Sequence, residues 1–252
     1  MKILDTIVKK KKEEINEIEL IAKTTLAQNN NDFLSAILNK KYAIIAELKS
    51  KSPSEGIICE NYNPVAIAKL YEKGGACCIS VLTDHSFFNG SFDDLKQVSK
   101  NTNLPTLCKD FIIDKRQVYL ARAAGASACL LIVRILTDQQ LISLKNEIES
   151  LGMTALIEIF DQHDLIRALK IQPKLIGINN RNLDSLKMDH DNATNLKSSL
   201  PNDVLTLSLS GAKSAKDIYQ AAHQFDGVLV GTLLMRSKSP DMTLRAVFEQ
   251  EA

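Results

Sequence analysis

The sequence contains no tryptophan, and it has few features that mark secreted, membrane or metal-binding proteins. Its five cysteines form no Cys-x-x-Cys pair, so we expect free thiols in a reducing compartment rather than a disulfide framework. No stretch approaches the roughly 18 consecutive apolar residues of a transmembrane helix, and the amino terminus lacks the apolar core of a signal peptide. These absences predict a cytoplasmic protein that does not act at a membrane.

A strong charge of either sign is also missing, because the formal net charge is +1 at pH 7. We therefore expect no nucleic acid as the main partner. The basic run at 9–12 is followed at once by Glu13 and Glu14, which indicates a solvated helix face. The histidines show no ligand spacing, so we expect no metal site; they are His85, His163, His190 and His223.

From residue 42 onward, short runs of β-type residues alternate with longer amphipathic stretches. Eight runs predict strands, at 43–48, 77–82, 105–110, 128–133, 154–159, 175–180, 204–209 and 227–232. Because these runs are continuously apolar, we expect each strand to be buried on both faces, which is typical of parallel sheets.

Eightfold strand–helix alternation predicts an α/β fold, a (β/α)₈ TIM barrel with an N-terminal helical extension. No long linker divides the 252 residues, so we expect a single domain, 1–252, of which about 1–42 forms the extension. An open doubly wound sheet is the alternative. It usually has fewer strands and a glycine-rich first turn, and no Gly-x-Gly-x-x-Gly follows the first strand here.

Polar residues collect at the carboxyl ends of the predicted strands, where barrels have their active sites. Glu47 and Lys49 are two residues apart, so they lie on the same side of the first strand. Further polar residues end the third, fifth and sixth strands: Lys109, Asp110, Glu158, Asn179 and Arg181. Amines and carboxylates in a partly buried cavity can act as general acids and bases, which predicts a reacting site.

The seventh and eighth strands end instead in small residues, Ser210-Gly211 and Gly231-Thr232. Barrels often bind a phosphate at this place, and glycine lets the backbone approach an anion closely. A tight turn is the alternative explanation for either pair.

Several longer motifs are similar to one enzyme family. Residues 47–56, ELKSKSPSEG, fill the pattern E-x-K-x-x-S-P-S-x-G, and further matches are LTDHSFFNGSFDDL (82–95), LCKDFIIDKRQVYLARAAGASACLLI (107–132) and IGINNRNL (176–183). Through these motifs the chain resembles the indole-3-glycerol phosphate synthase family over nearly its whole length.

The resemblance implies a carboxy-lyase of tryptophan biosynthesis with a small-molecule phosphosugar-anthranilate substrate. The family converts 1-(o-carboxyphenylamino)-1-deoxyribulose 5-phosphate to indole-3-glycerol phosphate by ring closure, loss of carbon dioxide and loss of water. It uses no metal and no organic cofactor, so we expect none here. We also expect a monomer.

The resemblance also implies roles for individual residues. Lys109 is implied as the general acid of ring closure, and Glu158 as the acid–base group of dehydration. Lys49 and Glu47 are implied as partners at the reacting centre, with Lys49 also near the phosphate. Asn179 is implied to hold either the substrate hydroxyl or the developing charge. Further implied contacts are Ser52 and Arg181 for the anthranilate, Phe88 and Phe111 as walls of its ring, and Ser210, Gly211, Gly231 and Thr232 for the phosphate. The division of acid–base work among Lys49, Lys109 and Glu158 stays open, and the loop at 52–56 is interpreted as part of a lid.

One position departs from the family pattern. The usual Ser-Glu-Ser-Gly at the end of the seventh strand reads Ser-Leu-Ser-Gly, so Leu209 replaces a glutamate. Three interpretations follow: a working enzyme, a binding-only or impaired homologue, or a related phosphosugar isomerase. An isomerase would typically use a cysteine and an aspartate at strand ends, and strand alternation turns Cys108 away from the side of Lys109.

Overall fold

The computed structural model describes residues 3–18 and 32–251. Eight parallel strands close into a barrel: β1 (Ile44–Leu48), β2 (Cys78–Leu82), β3 (Thr106–Lys109), β4 (Ala128–Ile132), β5 (Thr154–Ile159), β6 (Leu175–Asn179), β7 (Leu205–Leu209) and β8 (Gly227–Val230). Each strand pairs with its neighbours in the chain, and β8 closes the ring on β1. The predicted TIM barrel is confirmed, and the closed sheet rules out the open doubly wound alternative.

Helices surround the barrel and precede it. The described helices are α1 (Ile3–Ile15), α2 (Phe33–Leu38), α3 (Pro64–Gly74), α4 (His85–Phe88), α5 (Phe92–Asn101), α6 (Lys115–Ala123), α7 (Asp138–Ser150), α8 (Gln162–Leu169), α9 (Asn192–Lys197), α10 (Ala215–Gln224), α11 (Thr232–Arg236) and α12 (Pro240–Phe248). Short 3₁₀ helices lie at Val133–Ile135 and Glu249–Glu251, and an antiparallel hairpin pairs Lys51–Ser52 with Gly56–Ile57. None of the described helices is long and apolar enough to cross a membrane.

Local sequence signals account for the helix starts. Asn63 accepts a hydrogen bond from the Ala66 N–H just before Pro64, a residue whose fixed φ suits the first helical turn. Asp114 and Thr137 each form a capping box with the glutamine three residues later.

The predicted boundaries need small corrections. The eighth strand was predicted to reach residue 232, but β8 ends at Val230 because Thr232 already begins α11. The predicted N-terminal helical extension contains α1 and α2, and its stretch 19–31 lies outside the described residues.

Strand alternation sorts the apolar residues into two layers. One cluster fills the barrel interior and includes Ile45, Leu107, Leu130, Leu156, Leu175 and Leu207. The other lies between the barrel and the helices and includes Ile44, Ile79, Leu131, Ile157 and Ile176. Burial on both faces explains the continuous apolar runs. Charged side chains can therefore face the barrel interior only near its rim.

Candidate active site

A cavity of about 530 Å³ opens at the carboxyl ends of the barrel strands. We call it the mouth pocket. Every residue that the resemblance implied for the site lines this pocket: Glu47, Lys49, Ser52, Phe88, Lys109, Phe111, Glu158, Asn179, Arg181, Ser210, Gly211, Gly231 and Thr232. These residues come from seven places along the chain, so it is the barrel closure that brings them together.

Glu47 and Lys49 form an ion pair at the end of β1. Lys49 Nζ lies 2.8 Å from Glu47 Oε1, and the glutamate is 5% exposed. Burial alone would raise the pKa of Glu47, but the positive charges of Lys49 and Lys109 together hold this pKa below its usual value. Glu47 is therefore a carboxylate at neutral pH, and the two amines balance its buried charge.

Lys109, Glu158 and Asn179 make a second group, at the ends of β3, β5 and β6. Lys109 Nζ lies 3.6 Å from Glu158 Oε2, and Asn179 Nδ2 donates to Glu158 Oε1 at 3.1 Å. Asn179 is itself oriented, because its Oδ1 accepts the Arg181 N–H at 2.9 Å. Glu158 is 2% exposed, and its Oε2 atom has no hydrogen-bond partner among the described residues. An oriented carboxylate oxygen beside an amine is thus available to a substrate proton.

The ends of β7 and β8 leave backbone groups open on one side of the pocket. Ser210 and Gly211 both have positive φ, at 66° and 109°, and Asn180 Nδ2 fixes this turn by donating to the Ser210 carbonyl at 3.1 Å. At Gly231 an added Cβ would lie 3.2 Å from Lys49 Nζ. The backbone of β8 therefore passes directly beside the Lys49 ammonium, a suitable arrangement for an anion.

Two aromatic rings form the wall near β2 and β3. The ring centroids of Phe88 and Phe111 are 6.0 Å apart and tilted by 37°. Asp84 caps α4 and accepts the N–H groups of Phe87 and Phe88 at 2.7 and 3.1 Å. The backbone that carries Phe88 is thus held by Asp84, and the space between the two rings and the charged groups suits a planar ring.

Asp110 was predicted among the polar residues of the site at the strand ends, and the structure corrects this prediction. It does not line the mouth pocket but lies buried on the other side of β3. Its Oδ2 accepts the Thr83 hydroxyl at 2.6 Å, and its Oδ1 lies 2.9 Å from Lys11 Nζ. Since it follows Lys109 directly, alternation turns the two side chains in opposite directions.

The predicted lid segment is a hairpin at the rim. Ser52 is 5% exposed, and its Oγ accepts the Glu55 N–H at 3.2 Å. Arg236 of α11 donates to Glu55 Oε2 at 2.8 Å and so connects the hairpin to the neighbouring part of the rim after β8. Sequence reasoning missed Arg236, and it also missed the apolar contribution of α1, whose Ile3, Leu4 and Ile7 line the pocket.

Leu209 lines the same pocket and is 2% exposed. A Cβ added to Gly177 on the neighbouring strand would lie 2.6 Å from Leu209 Cδ1, so Leu209 fills the space that this glycine leaves. Cys108 faces the outer layer, with its Sγ 3.4 Å from Thr83 Oγ1. The pocket therefore has an apolar surface where the family pattern has a carboxylate, and it has no cysteine among its lining residues.

Among the residues that the structure describes, one group has the chemistry of a metal site, and it lies outside the mouth pocket. Ligand atoms of Asp161, His163 and Asp164 lie within 4.8 Å of one another. Arg134 already pairs with both aspartates, at 2.9 and 2.7 Å. We assign no metal to these carboxylates.

Comparison with known proteins gives a family. The family model described as "Indole-3-glycerol phosphate synthase" matches residues 4–247. The indole-3-glycerol phosphate synthase of Listeria monocytogenes serovar 1/2a is 40% identical over 249 residues, covering 98% of each chain. The enzyme of the same name from Trichodesmium erythraeum is 41% identical, covering 98% of this chain and 89% of its own.

Solved structures match in fold. Tryptophan synthase subunit alpha from Legionella pneumophila superposes with a TM-score of 0.63 at 14% identity, covering 88% of this chain and 98% of its own. The 3-hexulose-6-phosphate synthase of Salmonella typhimurium gives a TM-score of 0.65 at 12% identity, covering 82% and 97%. At such identities the likeness is one of fold alone.

Proposed function

The chain belongs to the indole-3-glycerol phosphate synthase family, and from this premise we propose how the mouth pocket performs the reaction. The enzyme is a carboxy-lyase of tryptophan biosynthesis. It closes the pyrrole ring of 1-(o-carboxyphenylamino)-1-deoxyribulose 5-phosphate with decarboxylation and dehydration. The chemistry needs a proton for the carbonyl oxygen, an exit for carbon dioxide, and acid–base help for the loss of water.

Lys109 supplies the proton for ring closure. As the aromatic carbon attacks the carbonyl carbon, the carbonyl oxygen gains negative charge and takes a proton from the ammonium. Lys109 suits this role because its side chain is 19% exposed to the pocket and its Nζ stands 3.6 Å from the buried Glu158 carboxylate. Carbon dioxide then leaves, and the ring regains its aromatic electrons.

Glu158 serves the dehydration. The hydroxyl must leave as water, which needs one proton delivered to its oxygen and one removed from the new ring. The free Oε2 of Glu158 adjoins Lys109, while Asn179 holds the other oxygen at 3.1 Å. This unpartnered, oriented carboxylate oxygen is the observation that carries the proposal. Asn179 also offers its amide to the substrate hydroxyl.

The remaining residues orient the two ends of the substrate. The phosphate lies against Ser210, Gly211, Gly231 and Thr232, with Lys49 as its counter-charge and Glu47 holding Lys49. The anthranilate ring lies against the wall that Phe88 and Phe111 form together, and its carboxylate faces Arg181 and Ser52, which were predicted for this end and line the same pocket. Together, the contacts at the phosphate end and at the anthranilate end would hold the reacting carbon beside Lys109.

Neither alternative interpretation gains support. A binding-only homologue was suggested by Leu209, yet the acid–base groups on both sides of the pocket remain in contact with their partners. A phosphosugar isomerase was expected to use a cysteine, and Cys108 faces away from the pocket. We propose that Leu209 is compatible with turnover.

The test is to follow product fluorescence after adding the substrate to the purified protein. The chain has no tryptophan, so the indole signal has little background. We expect product to accumulate over many turnovers. Substrate binding by calorimetry without product would instead mean that the homologue only binds.

Gly231→Ala is expected to lower kcat/KM about 10- to 100-fold. The new Cβ would lie 2.5 Å from Glu47 Oε1 and 3.2 Å from Lys49 Nζ, and the buried glutamate has little room to move. Gly231 has φ of −119°, so alanine brings no left-handed strain, and the melting temperature serves as the control. A folded variant with wild-type kcat/KM would contradict the placement of the Glu47–Lys49 pair beside β8.

We also propose that the chain acts as one domain, as a monomer, without metal or organic cofactor, and in the cytoplasm. In support, one chain supplies every residue of the mouth pocket, and the five cysteines are free thiols, which suits a reducing compartment. Light scattering after gel filtration tests the oligomeric state. A mass of twice 27.9 kDa would contradict the monomer.

A further inference from the structure

Lys11 of α1 is a buried ammonium that lies outside the mouth pocket. Its side chain is 5% exposed, and its Nζ lies 2.9 Å from one oxygen each of Glu14, Asp84 and Asp110. Its neighbour Lys10 pairs with Glu13, and the Lys10 side chain is 47% exposed. A buried charge with three carboxylate partners is unusual for a lysine on a terminal helix and calls for a physical explanation.

Each of the two buried aspartates also binds the backbone beside an aromatic wall residue. Asp84 accepts the N–H groups of Phe87 and Phe88, which fixes the short helix α4 that carries Phe88. Asp110 accepts the N–H of Phe111 at 2.7 Å. One ammonium on α1 therefore joins the supports of both rings that face each other across 6.0 Å in the mouth pocket.

Charge makes this junction depend on Lys11. Asp84 and Asp110 are both buried, and without a cation they would repel each other in a low-dielectric site. Burial opposes the charged form of Lys11, but Asp110 and Asp84 outweigh it, so the pKa of Lys11 is raised and the side chain stays an ammonium. Removing the ammonium would push Asp84 and Asp110 apart or force a proton onto one of the two carboxylates.

The same helix also lines the pocket. Ile7 and Leu4, one and two turns before Lys11, belong to the pocket lining together with Phe88 and Phe111. The lysine thus holds the apolar face of α1 and the two aromatic rings in one arrangement.

We propose that Lys11 is a positioning residue for the aromatic end of the substrate. It does not touch the substrate; it acts through Asp84 and Asp110 on Phe88 and Phe111. This inference rests on the proposed function, since it assumes that the anthranilate ring lies against these two side chains. It predicts that losing Lys11 weakens substrate binding while the acid–base groups keep their geometry.

The experiment compares Lys11→Met with the matched control Lys10→Met on the same helix. We expect Lys11→Met to raise the KM for 1-(o-carboxyphenylamino)-1-deoxyribulose 5-phosphate about 10-fold, with kcat within about twofold of wild type. The inhibition constant of inorganic phosphate should stay within about twofold, because the phosphate end is supported from β7 and β8. Lys10→Met should match wild type in all three.

A second variant covers the case in which Lys11→Met does not fold. Asp84→Asn removes one carboxylate from the ammonium and keeps an oxygen that can cap α4, and it leaves less uncompensated negative charge in the cluster. It should raise KM in the same way. An unchanged KM in a folded Lys11→Met would overturn the inference. If Lys11→Met does not fold, an unchanged KM in a folded Asp84→Asn would overturn it. A loss confined to kcat would also overturn it. Absence of turnover in wild type and Lys10→Met would instead refute the proposed function.

Discussion

Lys109→Ala is expected to lower kcat by about 100- to 10,000-fold, the range of a lost general acid. The methyl group cannot protonate the carbonyl oxygen during ring closure. The substitution also removes the ion-pair partner of Glu158. Among the described residues, Lys109 is the only amine that pairs with this carboxylate, with its Nζ 3.6 Å from Glu158 Oε2. The measurement is single-turnover kinetics with saturating enzyme, which separates the chemical step from binding.

Lys213→Ala is the matched control for this loss. Lys213 also lines the mouth pocket but is exposed, and none of the proposed steps uses it. Its kcat should stay within about threefold of wild type. A Lys109→Ala variant that is folded and nearly as active as Lys213→Ala would mean that another group donates the proton, with Lys49 as the first candidate.

Glu158→Gln should have an effect of similar size on product formation but at a different step. The amide keeps the shape of the side chain and can still accept the Asn179 hydrogen bond of 3.1 Å, yet it cannot exchange a proton. We expect indole formation to fall about 100- to 10,000-fold. Ring closure and decarboxylation depend on Lys109, so carbon dioxide should be released faster than indole appears.

The readout is therefore the ratio of carbon dioxide to indole within the first turnover. An excess of carbon dioxide places Glu158 in the dehydration. If carbon dioxide release and indole formation slow down equally, Glu158 acts in ring closure. The roles proposed for Lys109 and Glu158 would then have to be exchanged. Glu149→Gln is a suitable control, because Glu149 lies on α7 and pairs there with Lys145 at 2.8 Å, outside the pocket lining.

Much of the barrel could be predicted because its signals are local. Apolar runs and their spacing indicate strands, and the position of a residue in a strand tells which side it faces. These two signals are sufficient to predict one common rim for Glu47, Lys49, Lys109 and Glu158. Asp110 shows the limit of a prediction from strand ends alone. It lies at the end of β3 next to Lys109, but strand alternation turns its side chain away from the mouth pocket.

Contacts between distant elements could not be predicted in the same way. Lys11 looked like part of a solvated basic run, because nothing in residues 9–14 shows that Asp84 and Asp110 come within 2.9 Å of it. Arg236 likewise meets Glu55 only because the barrel brings β8 beside β1. Such pairings depend on the closure of the sheet, which local periodicity does not encode.

The most direct test of the account is a crystal structure of the protein with indole-3-glycerol phosphate. We expect the phosphate at the backbone of Ser210–Gly211 and Gly231–Thr232 near Lys49, and the indole ring against Phe88 and Phe111. Lys109 and Glu158 should then lie within hydrogen-bond reach of the atoms that reacted. A ligand bound with its ends reversed, or outside the mouth pocket, would contradict the proposed division of labour.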